Sequence, residues 1–303
     1  MPGFSIVSFN AAVQDIRLFG RALYRPVPFP AERLRRIPRA LLDLDADIVC
    51  LQEVFHRKWR TWLCESLSRV YPHAAGLETG WPGLRIGNEL LVLSRFPLSQ
   101  TRLHRFRAAT PEELRYTSRG FLDLAVQIPA IGEVMLVNLH ASAGGLREHP
   151  ESPVMEEIRS RQIDELLKRD SVRKPMLLAG DLNAGPHSSI ANYRQVLGSG
   201  MIDACAGAGI EGVTWDPANP LVAGGREAHL LPQRIDHIFI NPELAATTVC
   251  TGANIVLTEH VVDSGVSKLP LSDHYAIRAV FRTHEAAMRS TGRGRPESAD
   301  PGG

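Results

Sequence analysis

The sequence has few cysteines, no long apolar run and no excess of either charge. Its four cysteines, Cys50, Cys64, Cys205 and Cys250, show no Cys-x-x-Cys spacing, which argues against a zinc ribbon or a redox dithiol. Cys50 lies in an apolar run and Cys64 follows Trp62-Leu63, so they read as reduced, small interior residues rather than a disulfide framework. No apolar stretch approaches the roughly 20 residues that a membrane-spanning helix needs. The opening Met-Pro-Gly-Phe-Ser-Ile-Val has neither the basic start nor the long apolar segment of a secretory signal, and the expectation is a cytoplasmic chain. Lys and Arg number 34 against 33 Asp and Glu, a net charge of +1. The chain is therefore no sequence-blind binder of polyanions, although a local basic rim can hide inside a neutral total. A Gly-x-Ser-x-Gly elbow, a His-Glu-x-x-His helix and a P-loop are all missing, which removes the common rival hydrolases and nucleoside triphosphatases. Gly207-Ala208-Gly209-Ile210-Glu211-Gly212 has dinucleotide-loop spacing, but Val-Thr-Trp-Asp-Pro comes next rather than a helix, so the match is accidental.

What remains is an ordinary globular composition, 44% hydrophobic and 22% charged over 303 residues. Short apolar runs recur at Ser5–Phe9, Asp47–Leu51, Glu89–Leu93, Phe121–Ile128, Val134–Leu139, Pro175–Ala179, Ile235–Ile240, Asn254–Leu257 and Tyr275–Phe281. Bounded by Gly, Pro, Asn or Asp, such runs predict buried strands. Helical spacing appears at Leu34, Ile37, Leu41 and Leu42, and again at Trp59, Trp62, Leu63, Leu67 and Val70. Val154–Lys168 and Ser188–Leu197 add two more helices. Pro129-Ala130-Ile131-Gly132 predicts a hairpin between two of the runs. The mixture implies an α/β domain over residues 1–282, followed by a structureless tail over 283–303, rich in Gly, Pro, Ser and Arg.

Polar residues at the ends of the apolar runs carry the chemistry. Ser-Ile-Val-Ser-Phe ends in Asn10, Asp-Ile-Val-Cys-Leu-Gln in Glu53, Val-Met-Leu-Val-Asn-Leu in His140, and Pro-Met-Leu-Leu-Ala-Gly in Asp181-Leu182-Asn183. Asp236-His237 and Asp273-His274 punctuate the later runs. One Asp or Asn after a strand is usually a turn former or a helix cap. A whole series drawn from Asn, Glu, His and Asp instead suggests side chains converging at one sheet edge. Four carboxylates (Glu53, Asp181, Asp236, Asp273) in one site would repel one another unless a cation or a charged histidine sat among them. Mg²⁺ prefers such oxygen ligands, an Asp beside phosphorus can polarise water, and an Asp–His pair can hold an imidazolium against developing phosphoryl charge. The set suits metal-assisted hydrolysis of a phosphate ester.

At Asn10, Leu51-Gln52-Glu53-Val54, Gly180-Asp181-Leu182-Asn183, Arg234-Ile235-Asp236-His237 and Ser272-Asp273-His274, the sequence resembles the endonuclease/exonuclease/phosphatase, or DNase I-like, superfamily. The order and spacing match from Asn10 to Phe281. The resemblance implies two packed mixed β-sheets flanked by helices, a four-layer α/β sandwich, with Mg²⁺, Mn²⁺ or another divalent ion at the sheet edge. It implies that Glu53 and Asn10 hold the metal, and that Asp181 orients or deprotonates the water. Asn183 would hold a phosphate oxygen or a second metal. His274 would contact the scissile phosphate with Asp273 orienting its ring, Asp236 would support the site, and His140 would complete it.

Within the superfamily, Leu51-Gln52-Glu53-Val54-Phe55, the run Asn88–Leu98, Ser118-Arg119-Gly120-Phe121 and Asn138-Leu139-His140-Ala141 are most similar to neutral sphingomyelinase-type phosphodiesterases. The resemblance implies a phosphodiester substrate: a lipid headgroup with peripheral membrane contact or, as the alternative, a nucleic acid or nucleotide, cleaved by a nuclease or phosphomonoester hydrolase on the same scaffold. The aromatic membrane-entering hairpin of secreted sphingomyelinases is not evident here, since Phe239 is the sole aromatic between His237 and Ser272. A silent binding protein is a third reading, and retention of every motif residue argues against it. Arg95 and Arg119 are candidates to line the phosphate approach. Trp59 and Trp62 read as core, and Trp81 and Trp215 as loop residues open to substrate.

Overall fold

The apolar runs become strands whose side chains are buried on both faces, because each sheet packs against its twin on one side and against helices on the other. The computed structural model describes residues 3–18, 21–77, 89–116, 119–144, 149–168, 174–210, 212–223, 225 and 227–291. The chain runs β1 (Gly3–Val13), β2 (Ile16–Leu18), β3 (Arg21–Tyr24), α1 (Pro30–Leu44), β4 (Ile48–Val54), α2 (Arg57–Leu67), β5 (His73–Ala75), β6 (Leu91–Ser94), β7 (Leu98–Arg105) and α3 (Pro111–Tyr116). It continues through β8 (Gly120–Ile128), β9 (Gly132–His140), α4 (Pro153–Leu167), β10 (Met176–Asp181), α5 (Ile190–Gly198), β11 (Ile202–Asp203) and α6 (Ala204–Gly207). The last elements are β12 (Asp236–Ile240), α7 (Pro242–Ala245), β13 (Thr248–Val256), β14 (Val262–Asp263), β15 (Lys268–Leu269), β16 (Ala276–Thr283) and α8 (His284–Thr291).

Two mixed six-stranded sheets form the body, in the orders β13-β16-β1-β4-β6-β5 and β11-β12-β10-β9-β8-β7. Along β1, Phe4 and Ile6 point to the inner core while Val7 and Phe9 point outward, as a period of two requires. The inner core joins Ile6, Cys50 and Phe281 of one sheet to Leu124, Leu136 and Ile238 of the other. Leu34, Ile37 and Leu41 of α1 and Leu63 and Leu67 of α2 cover the outside of the first sheet. Ile163 and Leu166 of α4 and Tyr193 and Val196 of α5 cover the second. This is the expected four-layer sandwich. The predicted hairpin joins β8 to β9, with Ile128 opposite Gly132.

Some local expectations shift. The edge strand β7 escapes an apolar-run reading because it mixes half-buried and exposed positions, with none fully buried, along Leu-Ser-Gln-Thr-Arg-Leu-His-Arg. Leu42 and Trp62 are exposed at 37% each, and Trp215 is buried at 4% rather than open to substrate. Trp81 lies outside the described residues. Helix α8 occupies the start of the stretch set apart as a tail. Ala286 is buried there and His284 Nε2 lies 3.0 Å from Ala245 O, while residues 292–303 lie outside the described set.

At the end of β12, Asn241 Oδ1 accepts from Leu244 N at 3.1 Å, capping α7, and from Met176 N at 2.8 Å, while Nδ2 donates to Lys174 O at 2.7 Å. Asn241→Ala is expected to cost about 1–2 kcal/mol of stability, read as a lower urea midpoint at unchanged slope.

Candidate active site

The site forms at one edge because strand direction brings its residues there. The parallel pairs β1–β4 and β9–β10 all finish at this edge, delivering Asn10, Glu53, His140 and Asp181. The strands antiparallel to them begin at the same edge. Just before or at those beginnings stand His274, Asp236, Glu89 and Arg119. Register then sets the neighbours, with Asp181 opposite both His140 and Asp236. Gly180 has φ +143°, and a Cβ there would come within 2.0 Å of Leu139 O. The glycine of Gly-Asp-Leu-Asn is therefore what lets β10 lie against β9 with Asp181 beside His140.

Asn10 Nδ2 donates to Asp181 Oδ2 at 3.0 Å, bridging the two sheets. Behind it, Gln52 Nε2 donates to Asn138 Oδ1 at 2.8 Å, a second polar bridge. Two carboxylate–imidazole pairs flank Asp181. His274 Nδ1 lies 2.9 Å from Asp236 Oδ2 and its Nε2 is 4.0 Å from Asp181 Oδ2. His140 Nδ1 lies 3.0 Å from Glu89 Oε1 and its Nε2 is 3.5 Å from Asp181 Oδ2. The Arg119 guanidinium rests against the His140 ring and is 2.8 Å from Glu89 Oε1 and 3.7 Å from Glu53 Oε1.

These neighbours set the charges. Burial alone would push the His274 imidazole down, but Asp236, with Asp181 and Asp273, reverses this and holds it well above the usual histidine range. Burial raises Asp236 and also raises Glu53, against the pull of His140 and Arg119 on the latter. Glu89 is buried too, yet Arg119 and His140 hold it below the usual carboxylate range.

Backbone geometry aims some of these groups. Glu53 has φ 58° and Asn183 φ 52°, left-handed values that are unusual for a glutamate and cost roughly 1–3 kcal/mol each. Asn183 N donates to Asp181 Oδ1 at 2.9 Å and its Nδ2 to Ala141 O at 3.1 Å, which leaves the amide oxygen as its remaining acceptor.

The residues fit a hard divalent cation. Ligand atoms of Glu53, Glu89 and His140, and those of Asp181, Asp236 and His274, lie within 4.8 Å of one another in each group. Glu89 Oε2 and Gln52 Oε1 are buried without a hydrogen-bond partner. Glu53 and Asn10 offer carboxylate and amide oxygens and no thiolate stands beside them, the donor chemistry that Mg²⁺ or Mn²⁺ prefers.

Contacts tie Asn10, Glu53, His140, Asp181 and Asn183 to one another and Asp236 to His274, and some expected contacts are reassigned. Asp236, not Asp273, holds the His274 ring. Asp236 starts β12 in one sheet and His274 stands just before β16 in the other, so the packing of the two sheets brings the carboxylate to the ring. Asp273 Oδ1 instead lies 3.1 Å from Ser272 Oγ, and its charge acts on Glu53 and Arg33. Arg234 pairs with Asp203 at 2.7 Å rather than with Asp236, and His237 packs behind the site with Nε2 2.9 Å from Ala184 O. Arg95 is structural, bound to Asp47 at 3.2 Å and to Asp45. Glu89, tied to His140 and Arg119, also belongs to the site, and its signals in the sequence are its place in the Asn88–Leu98 resemblance and at the start of the apolar run Glu89–Leu93. Glu113, 3.6 Å from Arg119 Nε, carries no motif.

These features match known proteins. The Endonuclease/Exonuclease/phosphatase family matches residues 7–274. Among solved structures, sphingomyelinase C from Streptomyces griseocarneus is similar at TM-score 0.72 and 20% identity, over 92% of this chain and 99% of that one. A beta toxin structure from Staphylococcus aureus with bound magnesium ions is similar at TM-score 0.69 and 17% identity, over 91% of this chain and 99% of that one. TDP2 from D. rerio, complexed with a single strand DNA product, is similar at TM-score 0.64 and 18% identity, over 92% of this chain and 98% of that one. No curated protein matches the sequence. With the family matched over residues 7–274 and its sandwich present in the structure, the chain belongs to the Endonuclease/Exonuclease/phosphatase family.

Proposed function

We propose that the chain is a Mg²⁺-dependent phosphodiesterase that cleaves its ester by in-line attack of water, with a phosphocholine-type headgroup ester as the first substrate class. The observation that carries this reading is Asp181 Oδ2 set between two imidazoles, each fixed from behind by its own carboxylate. Asp181, held by Asn10 Nδ2 at 3.0 Å, orients the water and takes its proton. His274, kept charged by Asp236, donates to a phosphoryl oxygen as negative charge develops. His140 and Asn183 hold the remaining oxygens. Glu53 and Asn10 are the residues that would hold the cation, with Asp273 alongside. A bound Mg²⁺ supplies Lewis-acid charge at the phosphoryl group.

A nuclease or nucleotide-hydrolase reading is favoured by the β14–β15 hairpin. Its tip, Ser264–Ser267, is without an aromatic and offers only Val266, 96% exposed, to an apolar phase. Hydrolysis of p-nitrophenylphosphorylcholine and bis-p-nitrophenyl phosphate, with and without Mg²⁺ and beside a plasmid-nicking assay, tests both readings. Mg²⁺-dependent choline-ester cleavage with intact plasmid is the expected result. Nicked plasmid with a slow choline ester moves the assignment to a nuclease, and no turnover of either ester with intact plasmid overturns the phosphodiesterase reading.

A further inference from the structure

Arg33, Arg60 and Arg159 lead the fully buried side chains by size. Each rises from a helix on the outer layer, yet none makes a salt bridge within 4.0 Å with a described carboxylate, unlike Arg119 and Arg234. Their donors go mainly to backbone carbonyls. Arg33 NH1 donates to Ala11 O and to Leu271 O, each at 2.9 Å, its NH2 to Ala12 O at 2.6 Å and its Nε to Pro28 O at 2.9 Å. Arg60 NH1 donates to Val54 O at 2.7 Å and to Phe55 O at 3.0 Å. Arg159 NH1 donates to Ser142 O at 3.1 Å, its NH2 to Pro150 O at 2.6 Å and Ser189 Oγ at 2.7 Å, and its Nε to Asn192 Oδ1 at 3.2 Å.

Apart from Pro28 O and Pro150 O, the accepting carbonyls flank site residues. Ala11 and Ala12 follow Asn10, Val54 and Phe55 follow Glu53, Ser142 lies two residues after His140, and Leu271 precedes Ser272-Asp273-His274. We propose that Arg33, Arg60 and Arg159 are positioning residues, each gripping from behind the backbone where a site strand ends and so fixing the side chains, Asn10, Glu53 and His140, that surround the candidate metal position. The proposal rests on the metal-assisted reading above.

The physics favours this over simple space filling. A buried guanidinium is a costly way to fill a core, and an apolar side chain of similar volume would do it more cheaply. A guanidinium is also the side chain with enough donors in a fixed fork to hold several carbonyls at once. Two of the gripped segments contain left-handed backbone, Ala12 at φ 48° and the residue before Val54, Glu53, at φ 58°. Such backbone persists only when its surroundings over-determine it. Burial pushes all three arginines down to about 10, so each stays charged at neutral pH. That charge then acts on the acids in front, Asp273 and Glu53 for Arg33, Glu89 for Arg60, and Asp181 for Arg159.

Arg33→Lys, Arg60→Lys and Arg159→Lys keep the charge but reduce the fork to a point donor. Binding of Mn²⁺ alone, monitored by the loss of the free-ion paramagnetic resonance signal, is expected to weaken about 10- to 100-fold in each. With bis-p-nitrophenyl phosphate, kcat should fall over the same range while KM changes little. Asn241→Ala, destabilised at the far end of β12, is the structural control and should bind Mn²⁺ as the unsubstituted chain does. Asn192→Ala, which removes one acceptor of Arg159, serves if a lysine variant does not fold, and should weaken Mn²⁺ severalfold. Unchanged Mn²⁺ affinity in folded variants overturns the proposal, as does an equal loss in Asn241→Ala. If the unsubstituted chain binds no Mn²⁺, the metal-assisted reading itself fails and takes this proposal with it. Mn²⁺ binding without turnover of any ester leaves the positioning result readable while the substrate assignment falls.

Discussion

His274→Ala is expected to lower kcat about a thousandfold while the protein stays folded. The imidazole is the group placed to donate to a phosphoryl oxygen, and loss of such a donor or of a proton-transfer partner costs roughly 10²–10⁴ in rate. The companion variant tests the cause of its charge. Asp236 is the main group holding the imidazole well above the usual histidine range. A raised pKa means that the charged form survives to higher pH, so the loss caused by His274 giving up its proton should fall on the alkaline side. Asp236→Asn keeps a hydrogen-bonding side chain but removes the charge that raises the imidazole most, so the alkaline limb should move to lower pH. A profile of kcat/KM against pH for both proteins decides it. A limb that stays in place, or moves upward, would show that a neutral ring does the work.

The largest stability loss is expected at Asp203. Its carboxylate is 1% exposed, accepts from Arg234 NH1 at 2.7 Å, from Tyr193 Oη at 2.8 Å and from Cys205 N at 2.8 Å, and faces His237 Nδ1 at 3.2 Å. Burial would raise it, but His237 and Arg234 together hold it well below the usual carboxylate range. Asp203→Ala leaves a buried guanidinium without its acceptor and removes the cap of α6, a loss of about 3–5 kcal/mol. The depressed pKa fixes the sign of the pH dependence. The contribution is fully present above the unfolded carboxylate pKa of about 4 and is lost as pH falls through the lower folded value. Urea unfolding at neutral pH should therefore separate the two proteins widely, and the gap should narrow below about pH 4. A constant gap across that range would mean that packing, not charge, sets the loss.

The kind of contact each residue makes decides how far the sequence can be read. Asn10, Glu53, His140, Asp181 and His274 are legible because strand ends are marked in the sequence by the break from apolar to polar, and chemistry gathers at such breaks. Who pairs with whom is not. Asp273 adjoins His274 in sequence, yet the ring is held by Asp236, a partner visible only once the two sheets are packed against each other. Glu89 looks like the polar start of a strand, and its tie to His140 depends on β6 pairing with β4 in the other sheet. The buried arginines are invisible for a different reason. On α1 the apolar stripe Leu34, Ile37 and Leu41 is correct, but Arg33 lies beside it and reads as solvated unless the carbonyls that claim it are known. The layers are legible because burial on both faces writes itself as continuous apolar runs, while the polar edge strand β7 leaves no such mark.

The order of strands in the first sheet bears on how the molecule is made. β16 lies between β13 and β1, so β1 keeps an open hydrogen-bonding edge until β16 arrives. Ser272 Oγ, just upstream, donates to Asn10 O at 2.7 Å. On the ribosome, β1 can pair with β4 early, but its other edge waits for more than two hundred intervening residues. A growing chain therefore holds Asn10 and Glu53 together well before His274 emerges, and the hydrolytic centre is completed only late in synthesis. The same wait leaves β1 as an exposed strand edge, a segment of the nascent chain that a chaperone would protect.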